Sequence, residues 1–469
     1  NYVAAIADGD YAKSVEIIRE RNPFPAVCGR ICIHPCEYKC RRGELDQAVA
    51  IRALKRVASD WYFENIGPQR EPFEVTRPQK VAVVGAGPAG LTCAYFLAKM
   101  GYQTTVFEAQ PVAGGMLGIA VPEFRLPREV IEEEIQYIQN CGVEIRYNSP
   151  IDAKHTFSDL LNEGFSAVFI AAGAQASKRI GIPGEEEGLE GLYYGLEFLT
   201  QIRTGKKVPL SGKTVIIGGG HVAGDVARTA LRAGAQEAQI FCLEPRDEMP
   251  AWEQDVDEAI DEGIVINPDL SPIKITHEAG RVTGIEFSRC VSVFDDEGSF
   301  NPTCDLDDSR FVDADNVIIS IGQAADMSFL DADSKLEREL WGTLVVDTNT
   351  LATNVPGVFA GGDFTTGPTF VIRAIASGRR AAIAIDKHLG GDTSRVYIPD
   401  EKSPRHTGTK LALEKESAED KPRVEVEFED AEERIKDFRE VEKGFSEEEA
   451  YNEAIRCLRC DLEKEENAI

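Results

Sequence analysis

Four cysteines, Cys28, Cys32, Cys36 and Cys40, stand four residues apart in CGRICIHPCEYKC, and Cys457 and Cys460 form a CxxC pair near the other end. Thiolates at this density hold an iron–sulfur cluster or zinc, and free amides of irregular backbone stabilise the charge on the sulfurs. A spacing of four would also line one face of a helix, but Gly29 and Pro35 argue against a continuous one. The irregular backbone favours at least one [4Fe–4S] cluster over zinc. His34 reads as a turn residue rather than a ligand. Cys93, Cys141, Cys242, Cys290 and Cys304 are scattered and read as core or incidental residues.

A second kind of chemistry lies in the glycines. KVAVVGAGPAGLTCAYFLAKMGYQTTVFEA carries Gly85, Gly87 and Gly90 in GxGxxG, with Pro88 and Ala89 between the last two. A tight turn, a bare backbone for a pyrophosphate and a close helix–strand contact are the three tasks of such glycines. Glu108 follows at the end of the next strand, placed to accept ribose hydroxyls. The pattern recurs in KTVIIGGGHVAGDVARTALRAGAQEAQIFCLEPRDEMP, with Gly218, Gly220, His221, Val222 and, at the third position, Ala223. Its strand-end acid is Glu244. A carboxylate there bonds a ribose 2′-hydroxyl and repels a 2′-phosphate, so NAD(H) is expected in preference to NADP(H). Arg246, two residues on, is the one cation in reach of a phosphate.

These residues need strands and helices to position them. VAVV and TVII are apolar runs suited to buried parallel strands, and the helices LTCAYFLAKMG and DVARTALRAG follow the turns. A third unit, VFAGGDFTTGPTFVIRAIASGRR, places Gly362 and Asp363 between a strand and a helix. There the carboxylate can bond ribitol hydroxyls, and the amides of the next helix face a flavin. Phe370, Val371 and Gly322 join the candidate contacts. Two nucleotide units in one chain imply two dinucleotides facing each other, FAD at the first and nicotinamide at the second. No CxxC occurs between residues 80 and 400, so no dithiol relay joins them. Hydride transfer between stacked rings asks for orientation rather than an acid or base, and no catalytic side chain is assigned.

Composition narrows the setting. The chain of 469 residues has room for about three domains and carries a net charge of −29, which disfavours nucleic acid and anionic membrane as partners. No apolar run of membrane-spanning length occurs. The first residues lack the pattern of a signal peptide, which together with the cysteine usage makes a cytoplasmic location the expectation. The acidic run EKESAEDKPRVEVEFEDAEER reads as a solvated tail.

Over residues 1 to 398 the chain resembles the glutamate synthase small subunit family, which shares its layout with the flavin subunit of NADH-dependent ferredoxin:NADP oxidoreductase and the front half of dihydropyrimidine dehydrogenase. The stretches that carry the likeness are NPFPAVCGRICIHPCEYKC, GAGPAGL, GGMLGIAVPEFRLP, AAGA, GGGHVAGDVARTALRAGA, EMPA and GVFAGGDFTTGPTFVIRAIASGRRAA. The resemblance implies an α/β, thioredoxin-reductase-like fold: a helical iron–sulfur domain (1–76), a discontinuous FAD domain (78–192 and 326–396) and an inserted NAD(H) domain (193–325). An acidic tail (397–469) with its CxxC follows.

It implies as well that Gly115, Met116, Leu117 and Arg125 line the flavin and that Gly173 sits at the interdomain crossover. In NADPH-using relatives paired arginines precede EMPA; here Leu243 and Glu244 take their place. His221 stands where relatives usually have Asn, Gly224 where many have Met, and Lys55 where a Glu or Gln ligand is usual. FREVEKGFSEEEAYNEAIRCLRCD is similar to the segment that precedes the first cluster cysteines in relatives, so the tail is expected to fold back, or reach a partner chain, and complete a cluster. The function implied is an electron-input or electron-bifurcating subunit of a larger oxidoreductase complex. The alternatives are a glutamate synthase small subunit using NADPH and a cofactor-binding scaffold with a vestigial nicotinamide site.

Overall fold

A computed structural model describes residues 1–186, 188–330, 334–340, 342–392 and 421–460. The portions 397–420 and 461–469 of the expected tail lie outside the described residues.

Two parallel five-stranded sheets organise the chain. In the first, strand Lys80–Val84 lies between Phe165–Ile170 and Gln103–Phe107, with Val358–Ala360 and Glu144–Arg146 at the edges. Strand Lys213–Ile217 takes the same place in the second, between Asn316–Ile319 and Glu237–Phe241, with Leu192–Tyr194 and Val265–Asn267 outside. The register repeats: Lys80 pairs with Gln103 as Lys213 pairs with Glu237. Val81, Ala82 and Val83 are fully buried, as strands covered on both faces must be. The chain leaves the first sheet after Ile170, builds the whole second sheet, and returns for Val358–Ala360. A short antiparallel pair, Ala176–Ser177 with Gln323–Ala324, marks the two crossings. A three-stranded antiparallel sheet over Leu270–Glu278, Arg281–Phe294 and Phe300–Asp313 extends the inserted unit.

Both nucleotide-unit helices start earlier than the sequence suggests. They run over Pro88–Lys99 and His221–Arg232, and each begins one residue after the second glycine. Proline suits the first helical position because its missing N–H would be unpaired there anyway. Gly90 therefore lies inside its helix, and a Cβ on it would collide with the carbonyl of Gly85. Gly85 itself has φ +100°, a region closed to most side chains.

The N-terminal residues form helices Tyr2–Ala7, Tyr11–Arg19, Pro25–Ile31, Pro35–Tyr38 and Ile51–Asn65. They share one apolar core with the first sheet and with the tail helix Glu447–Ala454, through Phe445, Ala450 and Ala454. That contact corrects the expectation of a solvated tail for residues 421–460. The acids of this segment meet buried arginines: Glu440 pairs with Arg30 at 2.8 Å and Arg56 at 3.0 Å, and Glu442 with Arg52 at 2.7 Å. Further along, Arg434 joins Arg228 and Arg232 on the wholly buried Glu262, at 2.9, 2.7 and 2.6 Å. Val441 donates to the Phe124 carbonyl at 3.1 Å. One segment thus touches all three domains, and Glu440 and Glu442 spend their charge on buried arginines.

Removing the shared acceptor would take the near carboxylate from buried Arg232 and Arg434 and one of two from Arg228, which keeps Glu258 at 2.7 Å. Glu262→Ala should destabilise by about 3–5 kcal/mol, read as an earlier thermal unfolding transition and faster proteolysis near Arg434. A melt unchanged from wild type would contradict the bracing role.

Candidate functional site

The two glycine turns open onto one continuous cleft of about 1140 Å³ between the sheets. That is more than a single small ligand needs and suits two dinucleotides meeting end to end. Helices Pro88–Lys99, His221–Arg232 and Val371–His388 all begin at its wall, so three sets of free amides and three positive dipole ends face it. Over Gly220 a Cβ would meet nothing within 4 Å, and over Gly87 only Gly115 at 3.9 Å. The backbone is left bare where a phosphate would lie.

On the first side the cleft is lined by Gly85, Gly87, Pro88, Ala89, Glu108, Gly115, Met116, Leu117 and Gly173. Glu108 is buried and accepts from the Ala86 and Gln110 amides at 2.7 and 2.8 Å, which aims its carboxylate at the turn. Burial raises its pKa, against those amide bonds. Gly362, Asp363, Phe370 and Val371 line the adjoining wall. Asp363 accepts from the Thr369 amide and hydroxyl at 3.1 and 2.9 Å, and burial pushes its carboxyl up to about 6. These groups fit an FAD stretched from Glu108 to Asp363.

The nicotinamide side is lined by Gly218, Gly220, His221, Val222, Glu244 and, at the crossover, Gly322. Three candidates prove to stand elsewhere. Gly90 and Ala223 are buried beneath their turns, where they let helix pack on strand, and do not line the cleft. Arg246 sits in a short turn outside it, 3.7 Å from Asp257. Arg125 does line the cleft, but its guanidinium is held by Asp225 at 2.9 Å and Asp255 at 3.1 Å, both from the inserted domain. Arg125 thus bridges the two domains from within the wall of the cleft.

His221 completes that network, its Nδ1 2.6 Å from Asp255, with its ring beside Phe370 at 5.7 Å. Burial opposes ionisation of Asp255, yet Arg125 and then His221 prevail and hold its carboxyl down at about 2. Asp225 and Asp255 lie within helices and carry no motif, so no sequence signal marks them. Cys242, read as incidental, also lines the nucleotide side, and burial pushes its thiol up to about 12.

The cysteine loop reaches the same cleft. Ile31 and Ile33, which flank Cys32, line its edge. The backbone breaks as the sequence suggests, with helix Pro25–Ile31 ending at Cys32 and His34 at φ 37° before the short helix Pro35–Tyr38. His34 Nδ1 lies 3.2 Å from the Cys32 carbonyl. A hydrogen bond with Cys28 brings the Cys32 thiol down to about 6, against burial. The buried Lys55 ammonium interacts with Cys28, Cys36 and Cys32, and Tyr2 with Cys36 and Cys457, so the tail does carry one thiol to this neighbourhood. Cys40 turns into an outer groove with His34 and Glu37, and Cys460 is half-buried. The donor chemistry and the neighbouring cation suit a thiolate-held, negatively charged cluster. Among the described residues, no three His, Cys, Asp or Glu side chains are gathered as a ready ligand shell.

The Asp363 environment has a consequence for pH. Its folded-state pKa lies above that of an unfolded Asp, about 3.9, so its contribution to stability is full below that value and is lost as pH rises through about 6. In flavin-free protein, Asp363→Asn should lose less stability than wild type between roughly pH 4 and 6. Denaturant melts across that interval read the difference, and parallel pH slopes would refute it.

Comparison with known proteins agrees with this geometry. The sequence profile described as pyridine nucleotide-disulphide oxidoreductase matches residues 79–378, and dihydropyrimidine dehydrogenase domain II, 4Fe-4S cluster, matches residues 1–66. The chain is 41% identical to the NADP(+)-dependent formate dehydrogenase subunit beta of Moorella thermoacetica, over 98% of this chain and 68% of that protein. Identity to the NADPH-Fe(3+) oxidoreductase subunit beta of Geobacter sulfurreducens is 36%, over 98% and 73%. It is 32% to the glutamate synthase [NADPH] small chain of Escherichia coli, over 82% and 85%. Among solved structures, Mycobacterium tuberculosis FprA in complex with NADPH superposes with a TM-score of 0.59 at 19% identity, over 67% of this chain and 85% of that one. Thioredoxin reductase of T. acidophilum gives 0.51 at 23%, over 66% and 99%. Both share the fold. No helix among the described residues is long and apolar enough to cross a membrane. With its paired sheets, facing glycine turns and cysteine-bearing N-terminal domain, the chain belongs to the pyridine nucleotide-disulphide oxidoreductase family, as an FAD-dependent NAD(P)H oxidoreductase of the electron-transferring, 4Fe-4S-containing branch that includes the glutamate synthase small chain.

Proposed function

We propose that this chain is the electron-input subunit of a larger oxidoreductase complex, moving electrons between NAD(H) and a partner subunit. The observation that carries this reading is the single cleft that joins both glycine turns and is edged by Ile31 and Ile33 of the cysteine loop. When bound, FAD supplies the exchange between hydride and single electrons, and a cluster supplies one-electron steps. The chain's own residues bind and orient. Gly87 and Gly220 leave room for phosphates, Glu108 and Glu244 would accept from ribose hydroxyls, and Asp363 would hold the ribitol. Arg125, through Asp225 and Asp255, holds the two nucleotide domains at a fixed separation. Cys28, Cys32, Cys36 and Cys457 are the thiols grouped around Lys55 and Tyr2, and they would hold a cluster.

The subunit role rests on the relatives, several of which are named as beta or small subunits. The preference for NAD(H) rests on Glu244 in the cleft and on Arg246 being turned toward Asp257. The relatives' names pull the other way, since they carry NADP(+) or NADPH. Splitting of electrons between two acceptors is the extension of the same reading to a partner that offers a second acceptor.

Anaerobic titration separates these possibilities. NADH should bleach flavin absorbance near about 450 nm at lower concentration than NADPH. Glu244→Ala should narrow that preference by about tenfold, the loss of one charged hydrogen bond to a ribose hydroxyl. Preference for NADPH in the wild type would overturn the nucleotide assignment and leave the electron-transfer role intact. No bleaching by either nucleotide, with FAD retained, would overturn the electron-input role.

A further inference from the structure

Away from the cleft, a second pocket of about 410 Å³ opens at the seam between the N-terminal helices and the flavin domain. Arg19, the last residue of helix Tyr11–Arg19, forms its floor and is only 3% exposed. Its guanidinium is stacked on Tyr137, 3.5 Å from the ring centroid, and lies 4.5 Å from that of Tyr62. Stacking covers the faces of the group and leaves its in-plane N–H edge. Among the described residues, Nε and Nη2 of that edge are buried and find no acceptor. Native interiors rarely leave such donors unmatched, and each case asks for the missing acceptor.

The surrounding residues describe what that acceptor is. Arg70 comes from the linker and donates to the Tyr137 hydroxyl at 2.7 Å, which fixes its guanidinium beside the ring that Arg19 stacks on. Lys99 comes from the end of helix Pro88–Lys99, and burial, then Arg70, lowers its pKa. Three cations therefore converge on one cavity from three segments of chain. Glu16, Glu20 and Glu71 also border it, but all three are exposed at the rim and Glu16 is engaged with Lys13 at 3.2 Å. Water and salt screen rim charges far more than a buried guanidinium. The site is separate from the cofactor cleft: Lys99 lies at the opposite end of a 12-residue helix from the phosphate turn, roughly 18 Å along its axis.

We propose that this pocket binds a phosphate-class oxyanion, with Arg19 as its buried anchor and Arg70 and Lys99 closing over it. The anion would accept from the Nε and Nη2 edge of Arg19, the fork geometry that guanidinium offers to phosphate. It would tie the N-terminal domain to the helix that carries the flavin fingerprint.

The test uses the complete holoprotein in buffer free of phosphate, titrated calorimetrically with inorganic phosphate at constant ionic strength and melted in parallel against sodium chloride. One saturable phosphate per chain is expected, with a rise in Tm that chloride does not reproduce. Arg19→Met should weaken binding about tenfold to a hundredfold, as loss of a charged hydrogen-bonding pair does. Arg70→Gln combined with Lys99→Met, both outside the core, should weaken it as well, and decides the matter if the Arg19 variant does not fold. AMP forms the second arm: competition with phosphate would assign the site to a nucleotide's phosphoryl group, and lack of competition to the free anion. Absence of saturable heat and of any Tm shift beyond chloride, or binding equal to wild type in both variants, would overturn the proposal.

Discussion

A helix can hold a phosphate on its first amides only if nothing but backbone stands between them, and that requirement fixes the rest of this molecule. It places glycine at the turns after Val84 and Ile217 and forces each helix to start immediately beyond. Each strand must also be buried on both faces so that the turn sits at the sheet's carboxyl edge. Because two such turns face one cleft, the inserted domain must be held at one distance and one angle from the flavin domain. The apolar contact of Ile119 and Ala120 with Leu196 and Leu199 supplies part of that hold. Arg125, spanning to Asp225 and Asp255, supplies the directional part.

The tail provides a second brace built from opposite materials. Residues 421–460 bury little apolar surface of their own apart from Val441, Phe445, Ala450 and Ala454, yet they are anchored by arginines with almost no exposure. Arg456 is fully buried between Glu453 and Asp46, while Glu453 also accepts from the Ala50 and Val424 amides at 2.7 and 2.9 Å. Buried ion pairs add little net stability against apolar packing, but they are demanding about geometry. A segment held this way is placed accurately rather than merely held.

Glu262 links the two braces. Its carboxylate collects Arg228 and Arg232 from the nucleotide helix and Arg434 from the tail, and these contacts keep it ionised against its own burial. Movement of the nucleotide domain away from the flavin would have to break this centre as well as the Arg125 bridge. The N-terminal domain, the cleft and the tail are therefore mechanically one object, with the cysteine loop pressed against the cleft through Ile31 and Ile33.

Much of this is local in sequence and so was legible there. Strand, glycine turn, helix and strand-end acid succeed one another within about thirty residues, which is why Glu108, Glu244 and Asp363 could be named without coordinates. Their places along the cleft follow from the same βα geometry. Gly90 and Ala223 belong to the same motifs, but the motif does not say which of its members face the ligand and which face the core.

What tertiary structure alone decided are the contacts between residues far apart in the chain. Arg125 with Asp225 and Asp255, Glu262 with Arg434, and the acidic tail against Arg30, Arg52 and Arg56 leave no periodicity or spacing to read. A carboxylate in sequence looks the same whether water or a buried guanidinium will take its charge, since only burial and the partner's position distinguish the two. The chain by itself determined the nucleotide turns and the thiols, because those depend on neighbours along the backbone. The fold determined how they are held together, because that depends on neighbours across space.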